Sequence, residues 1–218
     1  MAGLVVAMDG PAGSGKSSVS RGVARALGLR YLDTGAMYRA MTWWMLRQGV
    51  DLEDQAEIAA RCGEPRIESG TDPDGPTILV DGVDVAGPIR EAEVTGAVSA
   101  VAAVPEVRAR LVARQREIIG AGDIVVEGRD IAGVVCPDAQ VKVYLTASPE
   151  ARALRRSAEL AGSTIEAQRE AMAKRDTLDS TRKTDPLSVA AGAIELDTTA
   201  LTLEEVIAEV LRLVKERT

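Results

Sequence analysis

Gly10-Pro11-Ala12-Gly13-Ser14-Gly15-Lys16-Ser17 is the stretch from which the fold of this 218-residue chain can be read. It fits G-x-x-x-x-G-K-[ST], with Gly10, Gly15, Lys16 and Ser17 in the fixed places. Before it stands Leu4-Val5-Val6-Ala7-Met8, an apolar run of strand length. After it, between Ser17 and Leu29, Val19, Val23 and Leu27 recur every four residues, the spacing of one helix face. Strand, glycine loop, helix is the context this motif needs. The glycines let main-chain N–H groups close around an oxyanion, and the positive end of the helix dipole lies beneath the same point. Lys16 can then reach the β- and γ-phosphates of a nucleoside triphosphate, and the Ser17 hydroxyl can ligate Mg²⁺.

The rest of the chain alternates strands and helices. Gly28 stops the first helix; Arg30-Tyr31-Leu32 reads as a strand, and Asp33-Thr34-Gly35 as its turn. Residues 36–48 form a helix whose Met37, Met41, Trp44 and Met45 share a packed face, and a short helix is expected over 52–62. Thr77 to Val80, Asp81-Gly82 and Val83 to Val85 predict a β-hairpin, with 65–68 as a third strand. This small antiparallel sheet looks like an insertion. Residues 51–93 carry 12 acids against three Arg, net −9, which suits a solvated flap and direct substrate contact equally. Helices are expected over 90–104 and 105–119, strands at 124–126, 141–146 and 194–197. Ser148-Pro149 opens another helix, Gly162-Ser163 marks a break, and a charged helix runs from Thr164 to about Lys183. Thr202 to Glu205 is a capping box for the C-terminal helix. The pattern predicts an α/β fold of three layers, a parallel sheet flanked by helices. Ligands in such sheets bind at the carboxyl ends of the strands, where the glycine loop, Asp33-Thr34 and Gly128-Arg129-Asp130 all fall.

The totals narrow the classes. The chain is long enough for one sizeable core, and 46% apolar with 27% charged residues is ordinary for a globular protein. There is no His, so the commonest general base and metal ligand is missing. Cys62 and Cys136 are far apart and unpatterned, which suits reduced thiols in a cytoplasm. No apolar run approaches membrane-spanning length, and the immediate entry into strand and loop argues against a signal peptide. A net charge of −7 makes a poor general binder of nucleic acid. No exposed apolar stripe calls for a partner, so a monomer is expected.

A second constellation lies downstream. Arg175, Asp179 and Arg182 share one helix face, as do Arg152, Arg155 and Arg156 on the preceding helix. From Arg152 to Lys183 eight basic residues face five acidic ones, net +3 in an acidic chain. A solvated, ion-paired helix is the bland account. Beside a phosphate loop, arginines are also what phosphoryl transfer requires, because positive groups must meet the charge on the moving group. Two positive helices joined across Gly162 would form a cover able to exclude water.

Together, Gly10 to Ser18, Leu32-Asp33-Thr34-Gly35-Ala36-Met37-Tyr38-Arg39, Glu127-Gly128-Arg129-Asp130, Pro137-Asp138-Ala139 and Arg175-Asp176-x-x-Asp179-Ser180-x-Arg182 resemble bacterial cytidylate kinases, nucleoside monophosphate kinases of the P-loop class. The likeness runs from Val6 into the C-terminal helix. It implies one kinase unit, with a core near 1–50, 94–151 and 184–218, a monophosphate-binding insert near 51–93 and a helical lid near 152–183. It implies MgATP at Gly10 to Ser18, and transfer of its γ-phosphoryl group to CMP or dCMP. Thr34, Arg39 and Arg129 would meet the CMP phosphate, and Ser99, Arg108 and Asp130 would read cytosine. Arg175 and Asp179 would hold the ribose, and Arg182 would bridge the two phosphate groups. Lys16, Arg175, Arg182, Arg152 and Arg156 would neutralise charge in transit. Three departures from the family pattern stand out: Thr34 where Ser is frequent, Leu178 at a place often basic, and Ala132-Gly133 in place of Gly-Thr.

The chemistry agrees with that implication. Cytosine offers an amino donor at N4 that a carboxylate accepts, whereas uracil offers an oxygen that Asp130 would repel. The attacking phosphate oxygen is already anionic at neutral pH, so no general base is needed. Asp9 could support the metal's waters or be structural; both stay open. The rivals are a kinase for UMP or shikimate, a nucleic-acid-stimulated ATPase, which the acidic balance disfavours, and a GTPase switch. The switch needs an Asn-Lys-x-Asp element, and the chain contains no Asn.

Overall fold

The computed structural model describes residues 3–159 and 164–218. β1 (Val5–Asp9) runs through the glycine loop into α1 (Lys16–Leu27), whose ends are set by left-handed glycines, Gly15 at φ 86° and Gly28 at φ 65°. β2 (Arg30–Asp33) leads into α2 (Thr34–Arg47), capped where the Asp33 carboxylate accepts the Ala36 N–H at 2.9 Å. After α3 (Gln55–Arg61) come β3 (Ile67–Ser69), β4 (Ile78–Val80) and β5 (Val83–Asp84), an antiparallel three-stranded sheet. Asp81 and Gly82 both take positive φ in its tight turn, as the hairpin signal requires. α4 (Ala92–Ala102) and α5 (Pro105–Ile119) precede β6 (Ile124–Glu127) and β7 (Val141–Thr146). α6 (Pro149–Glu159), α7 (Ile165–Thr181), β8 (Ile194–Asp197) and α8 (Leu203–Arg217) complete the chain, and α8 opens with the expected Thr202/Glu205 capping box. The break expected at Gly162-Ser163 lies outside the described residues.

The central sheet has the order β2-β6-β1-β7-β8 and is parallel throughout. Strand alternation divides its faces. Val6 and Met8 pack with Val19 and Val23 of α1 and Val206 and Val210 of α8. Ala7, Leu32 and Val126 pack on the other side with α2, α4 and α5, including the expected Met37, Met41, Trp44 and Met45 face. The three-layer α/β expectation holds. β1 sits between β6 and β7, so the winding reverses beside it, and the carboxyl ends of β1, β2 and β6 open onto one crevice.

The acidic insert is more than a solvated flap. Ile67, Ile78 and Val80 are buried in the same cluster as Met37 and Met41. The loop between β3 and β4 returns to the central sheet, where the Thr71 carbonyl accepts the Tyr31 N–H at 2.9 Å. Arg21 donates to the Pro73 carbonyl at 2.9 Å, and Arg25 pairs with Asp74 at 2.6 Å. Two short turns have no counterpart in the sequence reading: a 3-10 turn at Pro88–Arg90 and a π-helical turn at Ile131–Val135. The second has a visible cause. The Asp9 carboxylate accepts the Ile131 and Ala132 N–H groups at 2.8 Å each, which gathers the chain where Ala132-Gly133 departs from the family pattern.

Candidate active site

One cavity opens at these strand ends, lined by the phosphate loop, the starts of α2 and α5, α4, the segment after β6, and α7. The loop is built by its glycines. Gly10 leaves β1 at φ 144°, where a Cβ would collide with the Leu145 carbonyl oxygen. At Gly15, also of positive φ, a Cβ would meet nothing closer than Arg155 at 3.9 Å. Lys16 Nζ donates to the Pro11 carbonyl at 2.7 Å and to Ser14 Oγ at 3.3 Å, so its ammonium is tethered beside the cavity it lines. Burial, and then the nearby Arg129, push the Lys16 pKa down. Ala12, Gly13, Gly15, Lys16, Ser17 and Ser18 line the cavity, whereas Gly10, Pro11 and Ser14 shape the loop without lining it.

Ser17 Oγ donates to Glu127 Oε2 at 3.1 Å, and the Tyr31 hydroxyl donates to Glu127 Oε1. Burial, and then Asp33, hold the Glu127 carboxyl above the usual carboxylate range. Sequence reasoning assigned Glu127 no role. Its signal was available: an acid ending the strand beside the one that feeds a phosphate loop is a candidate for supporting a metal ion. Asp9 is resolved differently. Both its oxygens are taken by main-chain N–H groups, and burial raises its pKa to about 6.

A cluster of guanidiniums marks the next part of the wall. Arg39, Arg129, Arg156 and Arg175 all line the cavity. Arg175 is pushed down to about 9 by burial and then by Arg129 and Arg39, and Arg39 to about 10 by burial and then by Arg156. Such mutual repulsion is relieved by an anion. Arg129 donates to the Gly10 carbonyl at 2.9 Å and pairs with Asp179 at 3.2 Å, whereas the buried Arg175 Nε has only an ion contact with Asp179 at 3.9 Å. Arg39 donates to Thr95 Oγ1 at 2.8 Å, and Thr34 Oγ1 to the Glu127 carbonyl at 2.7 Å.

Deeper in the cavity, Arg108 is 2% exposed and is paired with Asp130 through Nη2. Its Nε donates to Asp185 Oδ2 at 2.8 Å, and its guanidinium carbon lies 5.7 Å from the Tyr38 ring centre. Arg182 donates to the Asp185 carbonyl at 2.7 Å and approaches Asp130 at 3.6 Å. Ser99 Oγ donates to Asp179 Oδ1 at 3.2 Å, which joins a residue expected at the base to one expected at the ribose.

The three arginines read as one face on α6 part company. Arg156 lines the cavity. Arg152 does not: its Nη1 donates to the Ala12 carbonyl at 3.0 Å and to Asp176 at 2.5 Å. Arg155 donates to the Thr198 hydroxyl at 2.9 Å and the Thr198 carbonyl at 2.6 Å. Leu178 is 46% exposed and plays no part in the wall. Tyr38, Asp176 and Asp185 were not singled out by sequence reasoning. Tyr38 and Asp176 were visible inside the quoted motifs, and Asp185 read only as a helix stop.

A family model described as cytidylate kinase matches residues 6–216. The chain belongs to the cytidylate kinase family. Cytidylate kinase from Streptomyces coelicolor is 61% identical, the match covering 98% of this chain and 94% of that one. Cytidylate kinase from Streptomyces avermitilis is 58% identical, with the same coverage of both. Among solved structures, a gluconokinase from Sinorhizobium meliloti superposes with a TM-score of 0.52 at 15% identity, covering 99% of this chain and 94% of that one. That likeness concerns the fold alone, a P-loop kinase scaffold, and the cytidylate kinase sequence match carries the family.

Proposed function

We propose that this chain, as a cytidylate kinase, transfers the γ-phosphoryl group of ATP to the 5′-phosphate of CMP or dCMP, releasing ADP and CDP or dCDP. The observation that carries the reading is one cavity holding Lys16 of the phosphate loop and the buried Arg108–Asp130 pair. A phosphate cradle and a carboxylate suited to an amino-bearing base line the same cavity, together with the guanidinium cluster. Gly10 to Ser18 binds the ATP phosphates. Lys16, Arg175, Arg182 and Arg156 face the transferring group, with Arg152 acting through the loop it supports. Thr34, Arg39 and Arg129 take the CMP phosphate; Ser99, Arg108 and Asp130 take the base; Arg175, Asp179 and Arg182 take the ribose and its phosphate.

The residues fit Mg²⁺. Ser17 Oγ and Glu127 Oε2 are hard oxygens 3.1 Å apart beside the phosphate loop. Among the described residues no three His, Cys, Asp or Glu side chains form a cation cage of their own. That agrees with an ion held by one or two protein oxygens and the nucleotide's phosphates. When bound, the ion neutralises charge shared by the β- and γ-phosphates.

Residues 51–93 act as the monophosphate-binding insert, reaching the cavity through Ile89 and Arg90. Residues 152–183 act as the lid. The protein works as a cytoplasmic monomer without nucleic acid; among the described residues no helix is long and apolar enough to cross a membrane. Initial rates on CMP, dCMP, UMP and shikimate at fixed MgATP test the reading, with Lys16→Met as the inactive control. Preference for CMP or dCMP supports it. Faster turnover of UMP or shikimate, or near-normal turnover by Lys16→Met, overturns it.

A further inference from the structure

Asp185 is not among the residues the family resemblance assigns, yet it touches two arginines that line the cavity, Arg108 and Arg182. Its carboxylate accepts Arg108 Nε at 2.8 Å, and its carbonyl accepts Arg182 Nε at 2.7 Å. It stands at φ 47°, a left-handed position that Asp tolerates better than most residues. The consequence lies in how a guanidinium pairs. Nε and Nη2 form one edge, which a single carboxylate grips with both of its oxygens when nothing else competes. Here that edge is divided, Nε to Asp185 and Nη2 to Asp130. The contacts of Arg108 and of Arg182 with Asp130 both fall on Oδ2.

Resting on the CMP kinase reading, we propose that Asp185 is a positioning residue for base selection: by taking Arg108 Nε, it limits Asp130 to a single-oxygen pairing and keeps Oδ1 for the amino group of the base. Without the Asp185 side chain, Arg108 closes onto Asp130 with both edge nitrogens. The acceptor that distinguishes cytosine from uracil is then consumed inside the protein.

The test compares wild type, Asp185→Gly and Asp185→Asn. Glycine removes the side chain without straining the left-handed backbone, and asparagine keeps an oxygen for Arg108 Nε. The readouts are KM and kcat for CMP, the ratio of kcat/KM for CMP over UMP, and the thermal midpoint. In Asp185→Gly the KM for CMP should rise about tenfold with kcat within about twofold, and the CMP/UMP ratio should fall about tenfold, each a change of ~1.4 kcal/mol. Asp185→Asn should restore the ratio to within about threefold of wild type, a change of under ~0.7 kcal/mol. A wild-type CMP preference that Asp185→Gly retains overturns this inference and leaves the function standing, even if both variants melt earlier. A wild type with no preference for cytidine nucleotides removes both.

Discussion

Asp176 on α7 accepts the main-chain N–H of Ala12 at 3.3 Å with one oxygen and the Arg152 guanidinium at 2.5 Å with the other. Phosphate loop, α6 and α7 therefore meet on one carboxylate, which occupies a main-chain donor of the kind that cradles oxyanions. On the proposed reading, in which Gly10 to Ser18 takes the ATP phosphates, a bound triphosphate competes with it. Asp176→Ala should tighten ATP binding about threefold to tenfold, some 0.7–1.4 kcal/mol. It should also lower folding stability by about 1–3 kcal/mol, because Arg152 loses its charged partner. Titration calorimetry with ATP alone checks the first effect; unchanged or weaker binding would refute the competition.

Asp130 and Arg108 are both shielded from solvent, so removing the charge has two consequences. Asp130→Asn offers an amide N–H where the carboxylate stood, which suits the uracil oxygen. The CMP/UMP ratio of kcat/KM should fall at least tenfold, about 1.4 kcal/mol of lost discrimination. Stability should fall by up to about 3–5 kcal/mol, reduced by the surviving Asp185 contact. Urea unfolding together with initial rates on both nucleotides reads the two effects separately.

Asp9 predicts a pH dependence of stability. Burial raises its folded pKa from the ordinary 3.8 to about 6, so the native state holds the proton more tightly than the unfolded chain. The stability it contributes is complete below about pH 4 and is lost as pH rises through about 6. Asp9→Asn abolishes that titration. Relative to the variant, the wild type should lose roughly 3 kcal/mol between pH 4 and pH 7, from a shift of about two units. Guanidinium unfolding at several pH values measures the difference, in which groups common to both proteins cancel; a flat difference would contradict the prediction.

Two glycines of the same loop should respond differently to alanine. Gly15→Ala meets open surroundings and bears only left-handed strain, about 1–2 kcal/mol. Gly10→Ala adds a collision with the Leu145 main chain, which must move the loop or β7. Its cost should exceed that of Gly15→Ala by about 1–3 kcal/mol. Paired thermal melts decide, and equal midpoints would show that the loop absorbs the collision freely.

Local signals carried most of the architecture. The hairpin turn at Asp81-Gly82, the cap at Thr202 and the glycine stop at Gly28 each express chemistry confined to a few neighbouring residues, and each appears in the structure. Legibility ended where partners are distant in sequence. The π-helical turn at Ile131–Val135 depends on Asp9, more than a hundred residues earlier. Helical periodicity placed Arg152, Arg155 and Arg156 on one side of α6. It could not show that their fan of directions sends one to the loop carbonyl, one to Thr198 and one to the cavity. The motif surrounding Arg175 and Arg182 located the arginines, but the division of the Arg108 edge between two acids exists only in three dimensions.

The bond from Tyr31 to Thr71 bears on the molecule's solubility. β2 is the outermost strand of its sheet, and a bare strand margin offers itself for pairing with another chain. The returning loop, pinned by Arg21 and Arg25, covers part of that margin. Shortening the acidic segment to a minimal linker would therefore uncover a template for aggregation even if the catalytic groups stayed in place.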